Sequence, residues 1–239
     1  MERLEPPVRQ LLVDLDGTLL ANKPLPLAID FTRRAVTLLA EYGGLRKAAS
    51  TLLAIYKEFK TPSKEFTNDV RVVGLFAQRM GLELEEARRV LRDSVQAIFP
   101  QLKGHFFPVP GSRDFLLWAQ GRYPLFLATN PVWSQDIVEL RLRWADIDPA
   151  WFSSMTHVRK MHACKPDREY YEEILSELKL EPEDCLLIGD DVKMDLPATK
   201  VGIRTFIVGD YGELERLRPR YAKAPAWKGS YQHLRQMLS

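Results

Sequence analysis

Asp14 and Asp16 stand two residues apart, directly after the apolar run Leu11-Leu12-Val13, and Gly17-Thr18 follow them. Side chains at i and i+2 of a strand point to the same side. A strand ending here delivers two carboxylates to one spot at the carboxyl edge of a sheet, where open α/β sheets bind ligands. Adjacent like charges are costly unless a cation or a shared proton relieves them. The pair therefore suits a divalent-metal site, or a nucleophile beside a general acid. An acidic strand-to-turn junction has the same appearance, since Asp and Gly favour turns.

Three further signals fall at expected strand ends. Thr129-Asn130 follows the run Leu125-Phe126-Leu127-Ala128. Lys165-Pro166-Asp167 precedes a helix. Gly189-Asp190-Asp191, with Asp195 four residues on, follows Cys185-Leu186-Leu187-Ile188. Each has a plain structural reading: a turn, a helix entry with a solvated lysine, an acidic turn. Three acids within six residues also suit a cation bound through oxygen.

The elements that position these residues can be read from the apolar pattern. A strand is predicted over residues 9–14, with Pro24 and Pro26 punctuating its exit. Helical spacing follows, with helices expected from about 27, over 45–59, 66–80 and 84–99. No convincing β-run interrupts this block. After Pro108-Val109-Pro110-Gly111 come a helix (112–120), a strand (124–129), a helix (134–144), a weak strand (152–156), a helix (167–179), a strand (185–189), a short helix and a strand (205–208). Strands alternating with helices predict a parallel sheet covered on both faces. The expected fold is α/β, a doubly wound parallel Rossmann-like sheet with a smaller all-helical second unit. Residues 1–20 and 107–239 form the core and 21–106 the helical insert. The tail from 210 is harder to read; a short helix is expected over 230–238, with Trp227 packed on the body.

Order and spacing together say more than any one signal. The chain resembles the haloacid dehalogenase superfamily in its phosphatase branch. Asp14-x-Asp16-Gly17-Thr18 is similar to that family's first motif. Thr129, Lys165 and Gly189-Asp190-x4-Asp195 are similar to its second, third and fourth. The resemblance spans residues 10 to about 208, and the helical insert is similar to the family's helical cap. It implies Asp14 as nucleophile, forming an aspartyl-phosphate, and Asp16 as general acid and then base. It implies Mg²⁺ held by Asp14, Asp190 and the backbone carbonyl of Asp16. Asp195 is then either a more distant ligand or the group that holds Lys165, and Asp191 is an ambiguous ligand. Lys165 would offset negative charge, and Thr129 with the backbone N–H of Asn130 would donate to phosphoryl oxygens. The family's dehalogenases lack the second acid, so Asp16 favours phosphoryl transfer.

The implied reaction is Mg²⁺-dependent hydrolysis of a small phosphorylated metabolite. A phosphomutase of the same architecture and a non-catalytic binding protein are the competing expectations. Lys64, Asn68, Arg71 and His105 are candidate substrate selectors, each with a surface role as its alternative. Phe59, Phe66 and Phe76 read first as the insert's own core.

Composition bounds the rest. The 239 residues carry a net charge of +2, against the strong basic excess of a dedicated nucleic-acid binder. Residues 20–106 hold 14 Lys and Arg against 9 Asp and Glu, so the insert is basic above an acidic pocket. That distribution favours an anionic ligand. No apolar run reaches the ~18 residues of a membrane span. The opening Met1-Glu2-Arg3-Leu4-Glu5-Pro6-Pro7 lacks the apolar core of a secretory signal. Cys164 and Cys185 make no disulfide framework. Cys185 is expected in the core and Cys164 partly exposed. A cytoplasmic monomer or small homo-oligomer, with neither nucleic acid nor membrane as partner, is the resulting expectation.

Overall fold

A computed structural model describes residues 7–209 and 224–239. The opening segment read above as leaderless, up to Pro6, and residues 210–223 of the tail lie outside the described residues. β1 (Gln10–Val13) is followed by β2 (Leu20–Asn22). Four helices come next: α1 (Pro24–Leu39), α2 (Leu45–Glu58), α3 (Asn68–Met80) and α4 (Leu84–Ile98). The chain returns through β3 (Phe106–Pro108) to α5 (Ser112–Ala119), β4 (Leu125–Leu127), α6 (Gln135–Trp144) and β5 (Ser154–Met155). It continues through α7 (Arg168–Leu178), β6 (Cys185–Gly189), β7 (Arg204–Val208), β8 (Ala226–Gly229) and α8 (Tyr231–Leu238).

Six strands form one parallel sheet in the order β5-β4-β1-β6-β7-β8. β1 lies at the centre, where the order reverses, which is the ligand crevice of such sheets. Its four residues are all buried, as both-face coverage demands. Leu11 and Val13 pack on one side with Leu116 of α5, Val138 and Leu142 of α6 and Leu234 of α8. Leu12 points the other way, into Tyr170, Tyr171 and Ile174 of α7. Each such fully buried side chain is worth roughly 1.5–3 kcal/mol of transfer free energy.

The helical block has a core of its own. Leu39, Ala48, Val73, Phe76, Met80, Ala87 and Val90 meet there. Phe76 belongs to it, whereas Phe66 is exposed and Phe59 only half-buried, so the three phenylalanines do not form one cluster.

Four expectations need correction. Pro24 does not merely end a strand: it opens α1, with its fixed φ suited to the first helical turn. The two crossings between sheet and helical block are paired, β2 running antiparallel to β3 with Leu20 opposite Pro108 and Asn22 opposite Phe106. The tail supplies a sixth strand, Trp227 lying beside Phe206 in the β7–β8 pairing. Cys164 is also buried rather than partly exposed, like Cys185.

Candidate active site

The sheet brings its chemistry to one edge. Asp14 follows the last residue of β1, and its N–H donates to Ile188 O at 2.9 Å. Asp190 follows β6. Thr129 lies two residues past β4, Ala128 N donating to Val13 O at 2.7 Å. Lys165 reaches in from the loop before α7.

The turn after β1 is wound tightly. Leu19 N and Leu20 N both donate to Leu15 O at 2.9 Å, and Leu15 and Leu19 are buried. Gly17 has φ +80°, and a Cβ there would stand 2.0 Å from Asp190 Oδ2. Only glycine lets this turn approach so closely. Thr18 Oγ1 stands 3.2 Å from Asp14 Oδ2 and 3.0 Å from Asp190 Oδ1, tying the two acids together. Tyr231 of α8 donates its hydroxyl to Thr18 O at 2.6 Å and anchors the turn from beneath.

Lys165 Nζ lies between two carboxylates, 2.7 Å from Asp14 Oδ1 and 2.7 Å from Asp195 Oδ1. Burial works against its charge, but Asp14 and Asp195 outweigh burial and hold its pKa well above the usual lysine range. Asp190 is pushed up to about 7, first by burial and then by Asp14 and Asp195. Asp195 is raised to about 6 by burial, with Lys165 pulling it back. These are crowded anions short of positive charge.

Carboxylate oxygens of Asp14, Asp190 and Asp195 lie within 4.8 Å of one another. An all-oxygen set of this kind suits a hard divalent cation. The upward shift of Asp190 and the turn pressed against it at Gly17 also fit a cation that would relieve the crowding. Asp195 is engaged on both oxygens, by Lys165 Nζ on Oδ1 and by Asp191 N on Oδ2, which leaves Asp14 Oδ2 and Asp190 as the freer donors.

The remaining predicted residues fall as follows. Thr129 is buried, its carbonyl accepting from Thr156 Oγ1 at 2.5 Å and Tyr170 OH at 2.9 Å. Its own Oγ1 has no partner among the described residues, a donor in waiting. Asn130 Oδ1 accepts from Lys165 N at 3.2 Å and so fixes the lysine loop. Asp191 is not gathered with the other acids. It is exposed, and its Oδ1 accepts from Lys193 N at 2.8 Å and Met194 N at 3.3 Å, a turn-capping role. The Asp16 carboxylate is not among the clustered acids and is ion-paired with Arg141.

Of the proposed selectors, Lys64 is exposed and the other three are held by contacts. Asn68, at the start of α3, is buried; its N–H donates to Met161 O at 2.8 Å and its Nδ2 to Pro131 O and Ala163 O at 3.4 Å each. Arg71 Nε donates to Glu58 Oε1 at 2.8 Å, and its Nη1 to His162 O at 3.4 Å. Ser63 N and Asp69 N donate to His162 O at 3.1 Å and Val158 O at 2.9 Å. These groups dock the helical block on the 157–164 loop. His105 lies 3.1 Å from Asp30 Oδ2 inside the block. A cleft of about 560 Å³ beside α6 and β5 is lined by Glu139, Arg143, His157 and Lys160, and by none of Asp14, Asp16, Asp190 and Asp195.

Sequence reading missed Arg141. Its signal was its place on α6: Ile137, Val138, Arg141 and Leu142 are the buried face of that helix. A charge at that spacing is a buried charge.

The fold and the site now meet their relatives. The sequence model of the haloacid dehalogenase-like hydrolases matches residues 8–201. The chain belongs to that family of hydrolases. Among solved structures it is similar to a 2-haloacid dehalogenase from Pseudomonas syringae pv. Tomato, at 17% identity over 97% of this chain and 98% of that one, TM-score 0.64. It is also similar to a HAD phosphatase from Thermococcus onnurineus, at 18% identity over 97% and 98%, TM-score 0.59. A third is the putative HAD-hydrolase YfnB from Bacillus subtilis bound to magnesium, at 17% identity over 98% and 99%, TM-score 0.55. No curated protein sequence matches the chain. Among the described residues no helix is long and apolar enough to cross a membrane.

Proposed function

We propose that this hydrolase cleaves a small phosphate monoester through an aspartyl-phosphate on Asp14, with Mg²⁺ as cofactor. The observation that carries the reading is the cluster of Asp14, Asp190 and Asp195, with Lys165 paired to Asp14 and Asp195, and a second acid, Asp16, in the turn after β1. Asp14 and Asp190, with the backbone carbonyl of Asp16, would hold the metal. Bound there, Mg²⁺ supplies positive charge against the phosphoryl oxygens.

The chain's own residues do the rest. An Asp14 oxygen attacks phosphorus while the ester P–O bond breaks, and Asp16, in its protonated form, gives that proton to the leaving oxygen. Asp16 then takes a proton from water, which attacks the aspartyl-phosphate, frees inorganic phosphate and restores Asp14. Lys165 offsets the charge that Asp14 and the phosphoryl group bring together. The free Oγ1 of Thr129 and the N–H of Asn130 donate to phosphoryl oxygens. The helical block, docked through Asn68 and Arg71, acts as the cap that limits which leaving groups enter.

The test is phosphate release from a panel of phosphorylated metabolites, with Mg²⁺ and with EDTA, and Asp14→Asn as the blank. Metal-dependent release absent from the blank supports the reading. Undiminished turnover by Asp14→Asn sinks it.

A further inference from the structure

Arg141 is a buried cation with an unusual balance of partners. Its side chain is 3% exposed, and the one carboxylate it touches among the described residues, Asp16, is 42% exposed. Its Nε and Nη1 are buried with no hydrogen-bond partner among the described residues. The Phe106 ring lies 5.7 Å from its guanidinium carbon. Its guanidinium is charged at neutral pH.

This is a poor arrangement for stability. A buried charge pair repays its desolvation only when geometry is good and the remaining donors are satisfied. Here most donors are idle, and the partner is half in solvent. Methionine on the same apolar face of α6 would serve packing better. The pair does achieve one thing: it ties the turn after β1 to the helix after β4, across 125 residues of chain. The end of the tie is the carboxylate whose placement decides proton transfer.

We propose that Arg141 is a positioning residue: it fixes where the Asp16 carboxylate stands relative to Asp14, and so governs proton delivery to the leaving group. The proposal rests on the phosphatase reading for its kinetic consequence, though not for its structural one. Arg141 reaches no reacting atom itself. Its loss therefore acts through Asp16.

The experiment compares Arg141→Met, Arg141→Lys, Asp16→Asn and the double variant Arg141→Met/Asp16→Asn on two esters. One is p-nitrophenyl phosphate, whose leaving group departs without a proton. The other is a glycerol phosphate, whose alkoxide needs one. The readout is kcat/KM, which reports phosphoryl transfer to Asp14. Arg141→Met is expected to lose roughly 10–100-fold on the alkyl ester, the scale of a small misplacement in a reacting site. It should lose less than about threefold on the nitrophenyl ester, because general acid help matters little there. In the Asp16→Asn background it should cost nothing more, since coupled residues are not additive. Arg141→Lys, which keeps the charge, should recover part of the loss, and it replaces the methionine variant if that one does not fold.

Crystal structures give the arm that needs no activity. Asp16 should leave its present position in Arg141→Met. Equal losses on both esters, a full further loss in the double variant, or an unmoved Asp16 carboxylate would each overturn the proposal. If the wild type hydrolyses neither ester, the position of Asp16 in the crystals decides the role of Arg141, and only a failure across the whole metabolite panel counts against the phosphatase reading.

Discussion

Replacing Asp190 by asparagine should stabilise the metal-free protein at alkaline pH. The Asp190 carboxyl is raised from 3.8 to about 7 by burial and by Asp14 and Asp195. A raised carboxyl holds its proton more tightly when folded than when unfolded. Its contribution is therefore fully present below pH 3.8 and is lost as pH climbs through about 7. Integrated over that window, the ionised group costs about 4 kcal/mol at pH 8 and about 2 kcal/mol at pH 5. Asparagine has the same shape, carries no charge and still offers an oxygen to Thr18 Oγ1, now 3.0 Å away. Water and buffer cations entering the site reduce the penalty, so a gain of about 2–4 kcal/mol is expected at pH 8. For a chain of this length that is roughly 5–15 °C in Tm. The assay is thermal unfolding by circular dichroism in EDTA at pH 5 and pH 8, repeated with Mg²⁺. The wild type should gain from Mg²⁺ at pH 8 and little at pH 5, where a proton occupies the ligand; Asp190→Asn should not respond to Mg²⁺. If the variant in EDTA at pH 8 unfolds at or below the wild-type temperature, the crowding argument is wrong.

Other perturbations probe separate links. Lys165→Met leaves Asp14 and Asp195 buried without their shared cation, which should destabilise by about 3–5 kcal/mol in urea unfolding. Gly17→Ala forces a Cβ to within 2.0 Å of Asp190 Oδ2 at a φ of +80°, so isothermal titration should show weaker Mg²⁺ binding while the fold persists. Asn68→Ala removes the side-chain donor to Pro131 O and Ala163 O; it should cost about 1 kcal/mol and speed amide exchange at Ser63 and Asp69, read by mass spectrometry.

What sequence revealed and what it hid follow one physical division. β1, β4 and β6 are buried on both faces, so they read as unbroken apolar runs, and the residues just after them could be placed at one edge. β2 and β3 are three residues each and find partners only across the whole helical block. Their pairing is a tertiary fact without a local pattern. β8, Ala-Trp-Lys-Gly, sits at the sheet's edge with one buried residue and carries no apolar run either. Pro24 looked like a terminator because proline both ends strands and begins helices, and only the following turn decides. Within the site, Asp14, Lys165, Asp190 and Asp195 could be gathered by motif order, while Asp191 needed geometry to set it apart. Arg141 was hidden because a charged helical residue is normally solvated, although its spacing from Ile137 and Val138 marked the buried face. Asn68 was a selector by type and proved a tether by contact.

The central claim is that Asp14 carries the phosphoryl group during turnover. It is tested most directly by mixing enzyme, Mg²⁺ and the best ester from the panel, quenching with acid within a turnover, and mass-mapping the peptides. The account predicts one added phosphoryl group on the peptide containing Asp14, absent in Asp14→Asn and removed by hydroxylamine. Release of phosphate by an active enzyme whose Asp14 peptide never gains that mass would contradict it.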